Sequence, residues 1–204
     1  MIVAVSPATE DARALIRELD MDIASLYPGL PINGIDAAEF ESAGGYFVIA
    51  QEAGEAVGCG AFRPVDERCA EIKRMFVRRT ARRRGIARQI LRHLEEEIRR
   101  RGFRSIVLET GCDNSEALAL YEAEGYFPIP AYLGYVGSPI SRCYVKREPD
   151  VNSREHIPER PRATSRRLAL PQSLSGFLIS PDANSLRACG AFRSIKGTYS
   201  SVRN

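Results

Sequence analysis

Residues 70–98, AEIKRMFVRRTARRRGIARQILRHLEEEI, constrain the fold most, because the apolar period changes inside them. From Ala70 to Val77 the apolar residues Ile72, Met75, Phe76 and Val77 fill a short span of mostly β-favouring character, as a buried strand requires. From Gly85 onward Ile86, Ile90, Leu91, Leu94 and Ile98 recur at three- and four-residue spacing, which predicts one face of a helix. Glu95, Glu96, Glu97 and Arg99 are expected largely on its other faces. A strand therefore hands over to a helix through an Arg-rich bend.

The first turn of a helix carries N–H groups without intrahelical partners, and the peptide dipoles place partial positive charge there. In this bend Gly85 allows close approach to the main chain, Ala87 adds little bulk, and Arg82, Arg83 and Arg84 supply charge. Such a turn suits a pyrophosphate.

The rest of the chain supplies the partners that strand and helix need. Ile2 to Val5 reads as a strand, and SPATEDARALIRELD as a helix capped by Ser6 or Thr9, with Ala12, Leu15, Ile16 and Leu19 on one face. Pro28, Gly29, Pro31 and Gly34 break it, and a short helix through Ala37 to Phe40 follows. Tyr46 to Gln51, Ala56 to Pro64 and Ala70 to Val77 form an antiparallel meander with turns near Gly54 and Asp66 to Arg68. Gly58 and Gly60 leave room for a neighbour. Gly102 ends the long helix, Ser105 to Leu108 is a fifth strand leading to Glu109 and Thr110, and Asn114 or Ser115 caps a helix that stops at Gly125. Tyr126 to Ile129 and Ser141 to Lys146 read as two final strands joined by PAYLGYVGSP, a loop placed to touch substrate.

Two features are specific enough to carry a resemblance. Arg82, Gly85 and Ala87 match the Q/R-x-x-G-x-G/A signature of the GNAT superfamily of N-acetyltransferases, and NSEALALYEAEGY, residues 114–126, is similar to its second signature. Over roughly residues 3–147 the resemblance implies a mixed α/β (α+β) fold, with a twisted, mostly antiparallel sheet of about six or seven strands and about four helices. It also implies that strands four and five splay, that acetyl-CoA is the co-substrate, and that pantetheine lies in the gap as an added strand would.

The same resemblance implies site residues. Met75, Phe76, Val77, Arg82, Arg83, Arg84, Gly85, Ile86, Ala87, Asn114 and Tyr121 are the expected cofactor contacts, with the amide at Met75 or Val77 as oxyanion donor. Glu71 stands where some family members carry the carboxylate that takes the amine proton, directly or through water; otherwise it is a strand-surface charge opposite Arg74 or Arg68. Tyr121 matches the tyrosine that protonates the departing thiolate, since a phenol stays protonated at neutral pH; otherwise it is a core aromatic. Asn114 is also explained by helix capping. Tyr27, Glu71 and Tyr135 are the candidates for acceptor contact.

The expected activity is acetyl transfer from acetyl-CoA to a primary amine, on a small molecule or a peptide, by direct attack in a ternary complex. The alternative is an acyl-CoA-binding sensor without turnover. A ping-pong route through Cys112 lacks a His or acid partner at a telling spacing. The acceptor itself is left open, because loops set it.

Charge placement argues against a nucleic-acid partner. Of the net +3, residues 149–204 hold nine Lys/Arg against four Asp/Glu, leaving the body with 20 against 22, so it is slightly acidic. That split divides the chain into a domain at 1–148 and a basic Pro/Ser/Arg-rich extension at 149–204, expected to be disordered or loosely attached. Five scattered cysteines without a CxxC pair read as reduced thiols, and two histidines without a cluster give no expectation of a metal. No apolar run approaches the roughly 20 residues that cross a bilayer, and no signal-like N-terminus is present, so the expectation is a cytoplasmic monomer or homodimer away from membranes.

Overall fold

Alternation within a single strand shows how the sheet acquires two covered faces. In β2 (Tyr46–Glu52), Phe47 and Ile49 pack into one apolar cluster with Ala12 and Leu15, while Val48 and Ala50 pack into another with Ile90, Leu91, Leu94 and Ile98. Helix α1 (Glu10–Leu26) therefore covers one face and α3 (Ile86–Arg100) the other. The computed structural model describes residues 1–29 and 35–147. The tail expected at 149–204, Cys189 within it, and part of the connector after α1 lie outside these residues.

The remaining elements are β1 (Ile2–Ala4), α2 (Ala37–Ser42), β3 (Glu55–Pro64), β4 (Cys69–Val77), β5 (Ser105–Gly111), α4 (Ser115–Ala123), β6 (Phe127–Ile129) and β7 (Ser141–Arg147). Seven strands form one sheet in the order β1-β2-β3-β4-β5-β7-β6, antiparallel except where β4 runs parallel to β5. The mixed, mostly antiparallel sheet with four α-helices is the architecture expected from the sequence.

Two glycines set the distance between α3 and the sheet. A Cβ on Gly60 would lie 2.5 Å from Ile90 Cγ2 and 2.8 Å from Met75 Sδ, and one on Gly58 would lie 2.7 Å from the Phe76 carbonyl oxygen. Their bare backbones let Ile90, Leu91, Leu94 and Ile98 reach full burial, each contributing about 2 kcal/mol of apolar transfer free energy.

Three local details differ from the sequence reading. Thr9 occupies the N-cap of α1 without a side-chain cap bond; its hydroxyl instead donates to the Ser6 carbonyl, while Ser6 Oγ accepts from the Ala8 N–H. Glu95 faces the sheet rather than solvent. It is 4% exposed and accepts hydrogen bonds from Tyr126 Oη at 2.9 Å and Lys146 Nζ at 2.7 Å, so its buried charge is paired as burial demands. Glu71 is not a surface charge but fully buried. At α4 the expectation holds, with Asn114 Oδ1 accepting from the Ala117 N–H at 3.2 Å.

Candidate active site

The site begins where two strands part company. β4 and β5 are in register from Cys69–Ser105 to Ile72–Leu108, and pairing stops there although both strands continue. Beyond that rung the strands flank a cleft of about 810 Å³. Its walls include Met75, Phe76, Val77, Arg82, Arg83, Gly85, Ile86, Ala87, Asn114, Tyr121, Tyr27 and Tyr135, which the sequence singled out, together with Lys73, Arg88 and Glu109, which it did not.

The direction of the β4 amides follows from a single hydrogen bond. Arg78 N–H donates to the Val57 carbonyl at 2.9 Å, and Phe76 lies opposite Cys59. In an antiparallel ladder inward-facing residues alternate, so Phe76 and Arg78 point their polar groups at β3 and Met75 and Val77 point theirs across the cleft. Arg82 confirms the alternation, because its Nε reaches the Val77 carbonyl from the cleft side at 2.9 Å. A bulge helps to create this edge: the β3–β4 register shifts between Cys59 and Ala61, and Arg74 adopts φ 58°.

At the far end of β4 the bend forms an anion cradle. Gly85 has φ 78° and immediately precedes α3, and Arg83 has φ 63°. Left-handed residues turn successive N–H groups to one side, and the helix start adds its dipole. Arg82 is held by Val77 and by Asp22 of α1, whose Oδ2 lies 2.7 Å from its Nη2. Arg83 is exposed and forms no ion pair among the described residues, whereas Arg88 is paired with Glu124 at 2.7 Å. Arg84 does not line the cleft; it pairs with Glu52 at 2.8 Å.

Tyr121 stands on the cleft wall, 4% exposed, with its ring edge-on to Tyr126 at 5.7 Å between centroids. No side chain among the described residues bonds its hydroxyl. Burial, reinforced by the negative charge of Glu109, pushes that phenol well above the ordinary tyrosine range, so it stays protonated.

Glu71 sits behind the wall. Its Oε2 accepts from Arg63 Nε at 2.7 Å, and its Oε1 accepts from Tyr132 Oη at 3.1 Å and Tyr135 Oη at 2.9 Å. Burial alone would raise its pKa, but Lys73 and Arg63 outweigh that, and the carboxyl is held below its ordinary value. Lys73 Nζ donates to Tyr135 Oη at 2.8 Å and stands 3.6 Å from Glu71 Oε1. Glu109 on the opposite wall is half-buried, and burial raises its pKa, partly opposed by Ser141 and Lys73.

Tyr27 closes the outer end of the cleft. Its ring covers Gly111 of β5, leaving no room for a side chain there, and its hydroxyl accepts from the Asp113 N–H at 2.9 Å. The C-terminus of α1 is thereby tied across the opening from the β4 side to the β5 side.

An open edge on one strand, a cationic helix start at its end and a protonated phenol opposite are the parts of an acyl-CoA site. Comparison with known proteins decides the matter. The acetyltransferase (GNAT) family model matches residues 14–126. The chain belongs to that family. It is an acyltransferase that uses acetyl-CoA. A protein of Azospirillum brasilense named IAA acetyltransferase is 33% identical over 141 residues, covering 69% of this chain and 92% of the relative. A provisionally assigned acyl-CoA N-acyltransferase from Klebsiella pneumoniae superposes with TM-score 0.62 at 29% identity, over 72% of this chain and 96% of that one. A GNAT acetyltransferase from Elizabethkingia anophelis with acetyl-CoA bound, 17% identical, shares the fold at TM-score 0.55 over 72% and 97% of the two chains.

The residues present suit acetyl-CoA on their own chemistry. The cradle offers N–H groups and arginines to a pyrophosphate, and the Met75 and Val77 backbone offers donors and acceptors to an amide-bearing arm. No group of His, Cys, Asp and Glu suited to a metal occurs among the described residues, and no described helix is long and apolar enough to cross a membrane.

Proposed function

We propose that the protein transfers acetyl from acetyl-CoA to the nitrogen of a primary amine by direct attack, with both substrates in the cleft together. The observation that carries this reading is the opening of β4 from β5 after Ile72–Leu108, which leaves the Met75 and Val77 amides aimed across the gap. Acetyl-CoA supplies an activated thioester. An N–H donor near its carbonyl oxygen stabilises charge that develops there, a contribution worth roughly 3–4 kcal/mol for one such donor.

Each side chain then has a distinct task. Arg82, fixed by Val77 and Asp22, and Arg83 hold the pyrophosphate with the N–H groups following Gly85. Asn114 shapes the start of α4 so that Tyr121 faces the cleft, and Tyr121 gives its proton to the departing sulfur. Glu71 acts through its neighbours. Its oxygens are already occupied by Arg63, Tyr132 and Tyr135 and it does not line the cleft, so it orients Tyr135 and Lys73 rather than meeting the amine.

A sensor without turnover has no feature of the site in its favour, since the donors and the proton source stand around one cleft. The test is a free-thiol release assay with acetyl-CoA against a panel of amines. Release that requires an amine supports the reading; tight acetyl-CoA binding with no release for any amine would favour the sensor.

A further inference from the structure

The floor of the cleft carries two opposite charges that do not touch. In the β4–β5 register Glu71 faces Val107, so the next rung on the same face would join Lys73 to Glu109. That is where the strands separate. Lys73 and Glu109 therefore face each other across the apex of the opening, and they form no ion pair within 4.0 Å. Each is engaged only partly by its own side. The Lys73 ammonium has three donors, of which one is used on Tyr135 Oη, and it stands 3.6 Å from Glu71 Oε1, an oxygen that already accepts from both Tyr132 and Tyr135. Arg63 and Lys73 together face the single buried charge of Glu71, which leaves one positive charge directed at the cleft.

We propose that the acceptor is an α-amino acid with both groups free, its ammonium placed against Glu109 and its carboxylate against the free donors of Lys73. This rests on the acetyltransferase reading. Adjacent strands stand about 4.8 Å apart and these two diverge further, a gap that two charged groups on one carbon can bridge. A polyamine would place a second cation against Lys73, and an internal residue of a peptide would offer no carboxylate there.

Glu109 thereby becomes the proton acceptor. The ammonium gives one proton to the Glu109 carboxylate, and the neutral nitrogen attacks the thioester carbonyl carbon. The C–N bond forms, the C–S bond breaks and its electron pair leaves on sulfur. Tyr121 protonates the thiolate, the nitrogen loses its remaining extra proton to water, and the products are an N-acetyl amino acid and CoA. Burial, which raises the Glu109 pKa, suits that carboxylate to the role. The groups that face it are Lys73 and Glu71 from β4, Ser141 and Cys143 from β7, Tyr121 from α4, Tyr27 from the end of α1, and Tyr135 from the loop before β7.

The experiment compares free amino acids with their primary amides and with the amines formed by removing the carboxylate, using the full chain. One charge-assisted contact predicts that the best free acid exceeds its amide roughly 10- to 100-fold in kcat/KM, and wild-type protein alone gives this ratio. Lys73→Met should bring the ratio toward parity. Glu109→Gln should lower kcat roughly 10²- to 10⁴-fold and remove the acid limb of the pH profile. Calorimetry of the CoA-loaded protein supplies a readout without turnover, with heat expected for the free acid and not for the amide. Amides or decarboxylated amines acetylated as well as the acids, or a ratio unchanged in Lys73→Met, would overturn the proposal while leaving acetyl transfer intact. Failure of acetyl-CoA to bind would overturn the acetyltransferase reading with it.

Discussion

Glu71→Gln separates a buried organising carboxylate from a solvated one. The substitution preserves shape and removes one charge, leaving Arg63 and Lys73 beside a neutral amide and forcing the amide to accept from Arg63, Tyr132 and Tyr135 with a single carbonyl oxygen. Breaking a fully buried pair costs about 3–5 kcal/mol. Here Arg63 is 45% exposed and Lys73 30%, so both can turn partly to water, and about 2–3 kcal/mol is the reasonable loss. For a domain of this size each kcal/mol moves the melting temperature by about 3 °C, so thermal denaturation at pH 7 should show a fall of about 6–9 °C. The pH dependence has a definite sign. The folded-state pKa of Glu71 lies below its ordinary value of 4.5, so its stabilisation is complete above that value and fades as pH falls through the folded-state pKa. The gap between wild type and variant should therefore narrow below about pH 4.5. A melting temperature within 1 °C of wild type at pH 7 would refute the buried network.

Other perturbations address the remaining parts. Gly85→Glu places negative charge in the anion cradle, and only Gln89 Nε2 lies as near as 4.0 Å to the new Cβ, so calorimetry should show acetyl-CoA binding lost while a folded domain persists, with a strain cost of about 1 kcal/mol at φ 78°. Gly60→Ala drives a methyl group into Ile90 and Met75, and denaturant unfolding should record a loss of about 1–3 kcal/mol. Asp22→Asn frees Arg82 and Arg79 from a carboxylate at 2.7 and 3.1 Å; titration should find acetyl-CoA bound at least as tightly at low salt, because the pyrophosphate no longer competes with that carboxylate.

The elements were legible in the sequence because each announces itself locally: the shift from strand to helical spacing between Val77 and Ile86, and the turn residues Gly54 and Gly102. The anion cradle was legible for the same reason, since its parts lie within six consecutive residues. Lys73 and Glu109 were not. They come to face each other only through the parallel register of β4 and β5, which pairs residues 36 positions apart and is set by packing rather than by a local signal. Asp22 reaches Arg82 from a helix on the other side of the bend. The partner of Glu71 could have been found by counting, because Arg63 lies as far before the turn at Asp66–Arg68 as Glu71 lies after it, which puts them opposite in the hairpin. Glu95 was misjudged on residue type alone, although its spacing from Leu91 and Ile98 places it on the buried stripe, where Lys146 and Tyr126 satisfy it.

Tyr121→Phe tests the catalytic account most directly. The change keeps the ring against Tyr126 and Tyr144 and deletes the oxygen at the cleft wall. With an acceptor established, kcat should fall about 10²- to 10⁴-fold while KM for acetyl-CoA and the melting temperature change little. Full kcat in a folded Tyr121→Phe protein would contradict the assignment of Tyr121 as the proton donor and return it to the core.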